Sequence, residues 1–167
     1  MRGNGSAPID IDADPVAVAR TIALRRLEAA PRTRFELTKT LRERHVPEEA
    51  IVEVLDRFEE VGLIDDTAFA HGWVESRHRG RGLGRRALAQ ELQRKGIPQE
   101  LIIEATSQLC DEDERERARQ LAMAKLRVLA NVADDVAVRR LAGQLARRGY
   151  APGMAFDVAR EVVAERG

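Results

Sequence analysis

Cysteine occurs once in this chain, at Cys110. That excludes an intramolecular disulfide and any zinc site built on cysteines, and it fits a reducing compartment. Aromatic residues make up only 4% of the 167 positions, and β-branched runs of strand length are missing, so a sheet-based fold is not expected. No segment approaches the roughly 20 consecutive apolar residues of a membrane span. The opening MRGNGSAPIDIDADP has no apolar stretch of signal-peptide length, so no secretory signal is expected and the protein is read as cytoplasmic. An excess of one charge is missing too. The 28 Lys and Arg balance 28 Asp and Glu, which argues against coating nucleic acid by bulk charge. What remains is an all-α protein with 34% charged and 44% hydrophobic residues, a mixture that suits helices with one buried and one solvated face.

Residues 1–13 are rich in Gly, Ser, Asp and Pro without periodicity and read as a disordered tail. Asp14 stands as an N-cap before Pro15, opening a helix to about Ala29 that Pro31 closes. Thr33 and Glu36 form a capping box for a second helix with Leu37 and Leu41, and Pro47 opens a third with Ile51, Val54, Leu55 and Phe58 at helical spacing. Gly62 is its natural stop, with Leu63 folding back in a Schellman end. A helix from Asp65 to about Arg79 follows, then Gly80, Gly82 and Gly84, read as a hinge. Helices carrying Leu88 and Leu92, then Leu101, Ile102, Ala105 and Leu109, come next. Asp111 and Glu114 are read as the cap of a long helix reaching Leu129, and Cys110 as a half-buried thiol before it. Asn131 to Asp134 form a loop, and two last helices carry Leu141 with Leu145 and Phe156 with Val163.

These pieces repeat. Leu37, Leu88 and Leu141 each precede a second leucine, Leu41, Leu92 and Leu145, by four positions, at spacings of 51 and 53 residues. The same turn then returns as Arg44-His45-Val46-Pro47, Lys95-Gly96-Ile97-Pro98 and Arg148-Gly149-Tyr150 with Pro152 one place late. Three tandem three-helix repeats are therefore expected, over 14–62, 63–110 and 111–167, in an elongated array. His45 stands where the other two turns have glycine, at a cost if the turn needs a positive φ.

Charge is distributed unevenly along this array. Between Glu48 and Asp66 eight acids face Arg57 alone, a balance of minus 7, whereas between Arg77 and Lys95 seven cations (Arg77, Arg79, Arg81, Arg85, Arg86, Arg94, Lys95) face only Glu91, a balance of plus 6. Arg32 with Arg34, and Arg147 with Arg148, add smaller basic spots. Such segregation orients a molecule toward a polyanion or a patterned protein surface. The plainer alternative is mutual neutralisation of the two segments.

Catalytic and metal-binding patterns are weak. His71 and His78 are seven apart with no third ligand in view, so no metal site is expected. The Gly80-x-Gly82-x-Gly84 spacing departs from dinucleotide and P-loop motifs and follows a helix rather than a strand. No cofactor and no enzymatic activity are expected. A helix-turn-helix DNA reader is the competing reading, since Leu88 to Leu109 has its outline. Its second helix, PQELIIEATSQL, has no Arg or Lys and presents Glu100 and Glu104, which does not suit base readout.

Five motifs stand out: PRTRFEL from Pro31, LIDDTAFA from Leu63, WVESRHRGRGLGRRAL from Trp73, ELQRKGI from Glu91 and LARRGY from Leu145. Together they resemble the RecX family, bacterial regulators of the RecA recombinase. The likeness spans about residues 20–165 and leaves the N-terminal tail outside. It implies three tandem three-helix units in a curved, elongated protein that is not an enzyme. It also implies binding to RecA and to the groove of its filament on single-stranded DNA, with lowered ATPase, strand-exchange and co-protease activities and a tempered DNA-damage (SOS) response. The candidate contacts with filament or DNA are Arg77, Arg79, Arg81, Arg85, Arg86, Arg94, Lys95, Arg32, Arg34, Arg147 and Arg148. A monomer is expected, because no heptad seam argues for a coiled-coil dimer. Two alternatives stand beside this reading, a helical DNA-binding module acting without RecA and an inert helical adaptor for another protein.

Overall fold

Residues 14–167 are described by the structure, a computed structural model in which every regular element among them is helical. The chain divides into two compact units, one ending at Asp65 and one from Asp66 to Gly167.

The first unit holds α1 (Pro15–Ala29), α2 (Arg34–Glu43) and α3 (Glu48–Glu60). Each start has a local cause. The Val16 N–H donates to the Asp14 carboxylate at 3.1 Å, with Pro15 in the first turn where a missing N–H costs nothing. At α2 the capping box is complete: Glu36 N–H donates to Thr33 Oγ1 at 3.2 Å and Thr33 N–H to Glu36 Oε2 at 3.1 Å. Ile51, Val54, Leu55 and Phe58 line one face of α3 and close over Leu37 and Leu41, while Ala19 and Ala23 let α1 approach closely.

The second unit contains α4 (Asp66–Arg81), α5 (Arg85–Arg94), α6 (Gln99–Ser107), α7 (Asp111–Leu126), a single 3₁₀ turn (Arg127–Leu129), α8 (Asp134–Arg147) and α9 (Pro152–Ala164). It has two hydrophobic clusters. Ala70, Val74, Leu88, Leu92, Ile97, Ile102, Ala105 and Leu109 pack among α4–α6, and a larger set centred on Leu141, Leu145, Tyr150, Val158 and Val162 packs among α7–α9. The repeating leucines four residues apart, Leu37 with Leu41, Leu88 with Leu92 and Leu141 with Leu145, are all buried. Truncating one of them to alanine costs roughly 2–5 kcal/mol.

One turn recurs at the ends of α2, α5 and α8. Val46, Ile97 and Tyr150 N–H donate to the carbonyls of Leu41, Leu92 and Leu145, and His45, Gly96 and Gly149 N–H to those of Arg42, Gln93 and Ala146, at 2.9–3.2 Å. This is the Schellman arrangement, which requires a left-handed residue. Gly96 (φ 73°) and Gly149 (φ 94°) supply it freely, and His45 adopts it at φ 58°. A side chain in that region carries roughly 1–2 kcal/mol of strain. The Gly62 stop has the same geometry, with Leu63 N–H donating to Phe58 O at 2.8 Å.

The predicted hinge over Gly80–Gly84 is corrected by the structure. Helix α4 runs through Gly80 to Arg81, and the segment after it is fastened to the turn between α8 and α9. Gly84 N–H donates to Arg148 O at 2.7 Å, Arg86 N–H to Gly149 O at 3.1 Å and Tyr150 OH to Gly82 O at 2.9 Å, and the Arg148 guanidinium reaches Arg81 O. A Cβ on Gly84 would lie 2.7 Å from the Gly149 carbonyl carbon, and one on Gly149 would lie 2.3 Å from Ala87 N. These glycines are present for close backbone approach, not for motion.

Three further expectations change around α7. Cys110 is exposed, and it caps the helix itself: its Sγ accepts the Asp113 N–H at 3.4 Å. Glu114 does not cap; it is buried at 5% exposure and accepts Arg85 N–H at 2.7 Å, satisfying a donor at the start of α5. The helix itself stops at Leu126, and the 3₁₀ turn that follows buries Leu129.

Candidate functional site

The cationic run of the sequence falls on α4, α5 and the turn between them, and the structure sorts its members. Arg85 faces inward: its Nη2 donates to Leu109 O at 2.5 Å and to Asp111 at 3.1 Å, and lies 3.5 Å from Glu114. Its guanidinium therefore holds the chain between α6 and α7. Arg77 lies over the Trp73 ring at 4.0 Å and Lys95 over the same ring at 4.6 Å, while Phe69 stacks on Trp73 with centroids 5.6 Å apart and Trp73 Nε1–H donates to Glu91 at 2.8 Å. Cation–π contact of this kind fixes the two cations on a rigid aromatic base. Arg79 pairs with Glu75 one turn away at 2.9 Å, an exposed pair of small net value. Arg81, Arg86 and Arg94 are exposed and make no ion pair among the described residues.

In the flanking triplets Arg34 bridges Asp56 (2.7 Å) and Glu59 (2.9 Å), tying α2 to α3, and the Arg32 Nε is buried without a partner. Arg148 is committed to Arg81 O, whereas Arg147 is exposed and makes no ion pair among the described residues. The acids of the first unit are partly neutralised at home, through Arg34, by Arg42–Glu48 at 2.5 Å and by Arg57–Glu60 at 3.0 Å; Glu49 and Glu53 stay exposed.

The repeat register brings order to the exposed cations. Arg86 and Arg94 on α5 correspond to Arg139 and Arg147 on α8, each pair eight residues apart and therefore on about one helix face. The matching positions of α2 are Phe35 and Glu43. An exposed arginine pair thus recurs in both triplets of the second unit and is missing from the first. Sequence reading missed Lys125, Arg139 and Arg140, which with Arg147 border a groove of about 690 Å³ on the α7–α8 side. The signal was available in the doubled Arg139-Arg140 and Arg147-Arg148, in step with α5.

The histidines have other employment. His71 Nδ1 lies 2.9 Å from Gln108 Oε1 and its Nε2 3.4 Å from Glu104, and the Gln108 bond raises its pKa. His78 Nδ1 donates to Leu83 O at 2.8 Å, helping to close the end of α4. Among the described residues no group of three His, Cys, Asp or Glu side chains is arranged to hold a metal ion, and no helix is long and apolar enough to cross a membrane.

Comparison with known proteins places this geometry. Residues 19–58 match the model of the first three-helix domain of RecX, and residues 65–105 that of the second. The chain is 57% identical over 154 residues to the regulatory protein RecX of Streptomyces coelicolor, covering 92% of this chain and 82% of the relative. It is 47% identical over 165 residues to that of Thermobifida fusca, covering 99% and 87%. The crystal structure of RecX from Lactobacillus salivarius superposes with a TM-score of 0.81 over 91% of this chain and 96% of that one; at 21% identity it shows likeness of fold. A second crystal structure of a regulatory protein RecX superposes with a TM-score of 0.79 at 26% identity. With such identity sustained over most of both chains, the protein belongs to the RecX family of regulatory proteins.

Proposed function

We propose that this protein binds RecA and the RecA filament on single-stranded DNA, as a monomer in the cytoplasm, and lowers RecA's ATPase, strand-exchange and co-protease activities. In this reading it tempers recombination and the SOS response without catalysing a reaction. The observation that carries it is the recurring exposed arginine pair, Arg86 with Arg94 and Arg139 with Arg147, on the two helices that occupy the same place in successive triplets. A repeat array presenting the same charged face more than once suits a partner that is itself a repeat, such as a filament. Three repeats, over 14–62, 63–110 and 111–167, are the units we assign, each with one of the three hydrophobic clusters at its centre.

The site residues sort into two roles. Arg79, Arg81, Arg86, Arg94, Arg139 and Arg147 are the contacts we assign with RecA carboxylates or DNA phosphates, with Arg77 and Lys95 held beside Trp73. Arg85 and Arg148 position the elements that present them, whereas Arg34 ties α2 to α3 within the first unit and Arg32 lies in that unit too. The helix-turn-helix alternative is disfavoured by α6, whose exposed residues include Glu100 and Glu104 and which has no basic residue.

The test is a titration of RecA's single-stranded-DNA-dependent ATPase with the full chain, run beside binding to bare DNA at two salt concentrations. Inhibition at well below one molecule per RecA supports the proposal. No inhibition, with tight binding to bare DNA, transfers the protein to the DNA-module reading.

A further inference from the structure

The turn residues Val46, Ile97 and Tyr150 set a common register for the helices that follow them, α3, α6 and α9, whose N-caps are Pro47, Pro98 and Ala151. The positions four, seven, eight and eleven residues after the cap are buried in every triplet, the first of them being Ile51, Ile102 and Ala155. The position five residues after the cap departs from a solvated polar flank. It is Val52, Ile103 and Phe156, exposed at 43%, 59% and 46%. One exposed apolar side chain is ordinary surface. Three at the same place in successive triplets, alike in apolar character and in nothing else, are a feature of the repeat. The residue after each is an exposed acid, Glu53, Glu104 and Asp157. All three helices carry net negative charge, whereas α2, α5 and α8 carry net positive charge. Glu104 also meets His71 at 3.4 Å, and the Arg160 guanidinium lies over the Phe156 ring at 5.8 Å. Neither contact covers the apolar side chain.

Charge and area together identify what covers these side chains. The carboxylate beside each one repels phosphates and anionic lipid headgroups, and it matches a protein surface whose apolar socket is rimmed by lysine or arginine. A side chain of this kind buries at most about 250 Å², far below the roughly 1,200 Å² of a specific interface. One anchor therefore holds no partner alone. Three in register add their contributions only on a protein that offers the same socket repeatedly. We infer that Val52, Ile103 and Phe156 are the apolar anchors of a second docking surface, on the third helix of each triplet, which seats in basic-rimmed apolar sockets recurring on RecA subunits. The choice of RecA rests on the function proposed above; the chemistry of the socket rests on the anchors and their acids. This surface lies on helices other than those of the arginine pairs, and it acts by removing apolar area from water, so salt screens it little.

The experiment measures the amount of the full chain that halves RecA's single-stranded-DNA-dependent ATPase at two salt concentrations, beside its binding to a bare labelled oligodeoxythymidylate. The test variant is Ile103→Ser/Phe156→Ser, at exposed positions where serine has much the same helix propensity as the residues it replaces. The control is Val61→Ser/Val128→Ser, which removes apolar side chains exposed at 50% and 75% outside the register. Expected for the test variant is a rise of about tenfold or more in the amount required, similar at both salts, with bare-DNA binding and melting temperature unchanged. The control, and the apolar replacement Ile103→Leu/Phe156→Leu, should stay within about twofold of wild type. Adding Val52→Ser to the test variant should deepen its loss by about threefold or more; no deepening removes Val52 from the set. An equal loss in the control, an equal loss of bare-DNA binding, or a loss that vanishes at the higher salt overturns the surface. If the paired serines lower the melting temperature, Ile103→Ser against Ile103→Leu decides: weaker inhibition by the serine variant upholds the surface and equal inhibition overturns it. Wild type and test variant inhibiting RecA equally well defeats this inference and leaves the RecA proposal standing. Wild type without effect on RecA defeats both.

Discussion

The two units use one helical triplet under different constraints, and the clearest contrast lies in a single turn. At the end of α2 the left-handed position is His45, exposed, its φ of 58° the whole of its difficulty. At the end of α8 the same position is Gly149, buried, with Ala87 N at 2.3 Å from where a Cβ would stand and its carbonyl accepting Arg86 N–H. The conformational requirement is shared; the requirement for space belongs to the second unit alone. The turn that ends a helix in the first unit also joins two triplets in the second.

Substitutions that distinguish space from conformation sharpen this contrast. Gly149→Ala should have the largest effect, about 3 kcal/mol or more, because it adds left-handed strain to an overlap with backbone that cannot give way. Its signature is a fall of several degrees in the melting temperature or loss of folded protein. A melting temperature within a degree of wild type would break the comparison. Glu114→Ala should follow, at roughly 2–4 kcal/mol, because it strands Arg85 N–H and removes the buried carboxylate beside the Arg85 guanidinium. Glu114→Gln keeps an acceptor for the N–H and should recover part of that loss in the same denaturant titration.

Tyr150→Phe ranks third, at about 1–2 kcal/mol, since it leaves the Gly82 carbonyl without its donor. It also carries a pH signature. Burial pushes the Tyr150 phenol up to about 12, above its ordinary value near 10. Above pH 10 the unfolded chain releases this proton while the folded chain retains it, so the phenol's contribution is present below pH 10 and is lost as pH rises toward 12. Wild type should therefore lose stability more steeply than Tyr150→Phe across that window. Parallel curves would contradict the assignment. Smallest is His45→Gly, expected to raise stability by about 0.5–1 kcal/mol, since the strain it relieves is partly offset by a freer unfolded chain.

How much of this was legible in the sequence depends on distance along the chain. Caps such as Asp14 and Thr33–Glu36, the left-handed turns and the leucine pairs are written within a few residues, and all of them stand in the structure. The Gly82–Gly84 segment was misread as a hinge because a glycine chosen for close approach and one chosen for freedom look the same in sequence. Only the arrival of Gly149 and Tyr150, more than sixty residues later, separates them. Glu114 reads in sequence as a cap residue with Asp111, yet Cys110 caps the helix and the Glu114 carboxylate serves Arg85, 29 residues away. The cationic run was visible as a run, yet the inward turn of Arg85 and the seating of Arg77 and Lys95 on Trp73 were not. Lys125 and Arg139 lie on different helices, so their shared groove appears only when the third triplet is folded.

The central claim, that the exposed arginine face of the second unit carries the regulatory contact, is tested most directly by the double variant Arg86→Glu/Arg94→Glu. Neither side chain makes an ion pair among the described residues, so the melting temperature should be unchanged. The readout is the amount of protein that halves RecA's single-stranded-DNA-dependent ATPase. The account predicts that the variant requires about tenfold more protein than wild type, the equivalent of about 1.4 kcal/mol of lost contact, and that salt weakens its inhibition less. A folded variant that inhibits as well as wild type would place the contact elsewhere and contradict the claim.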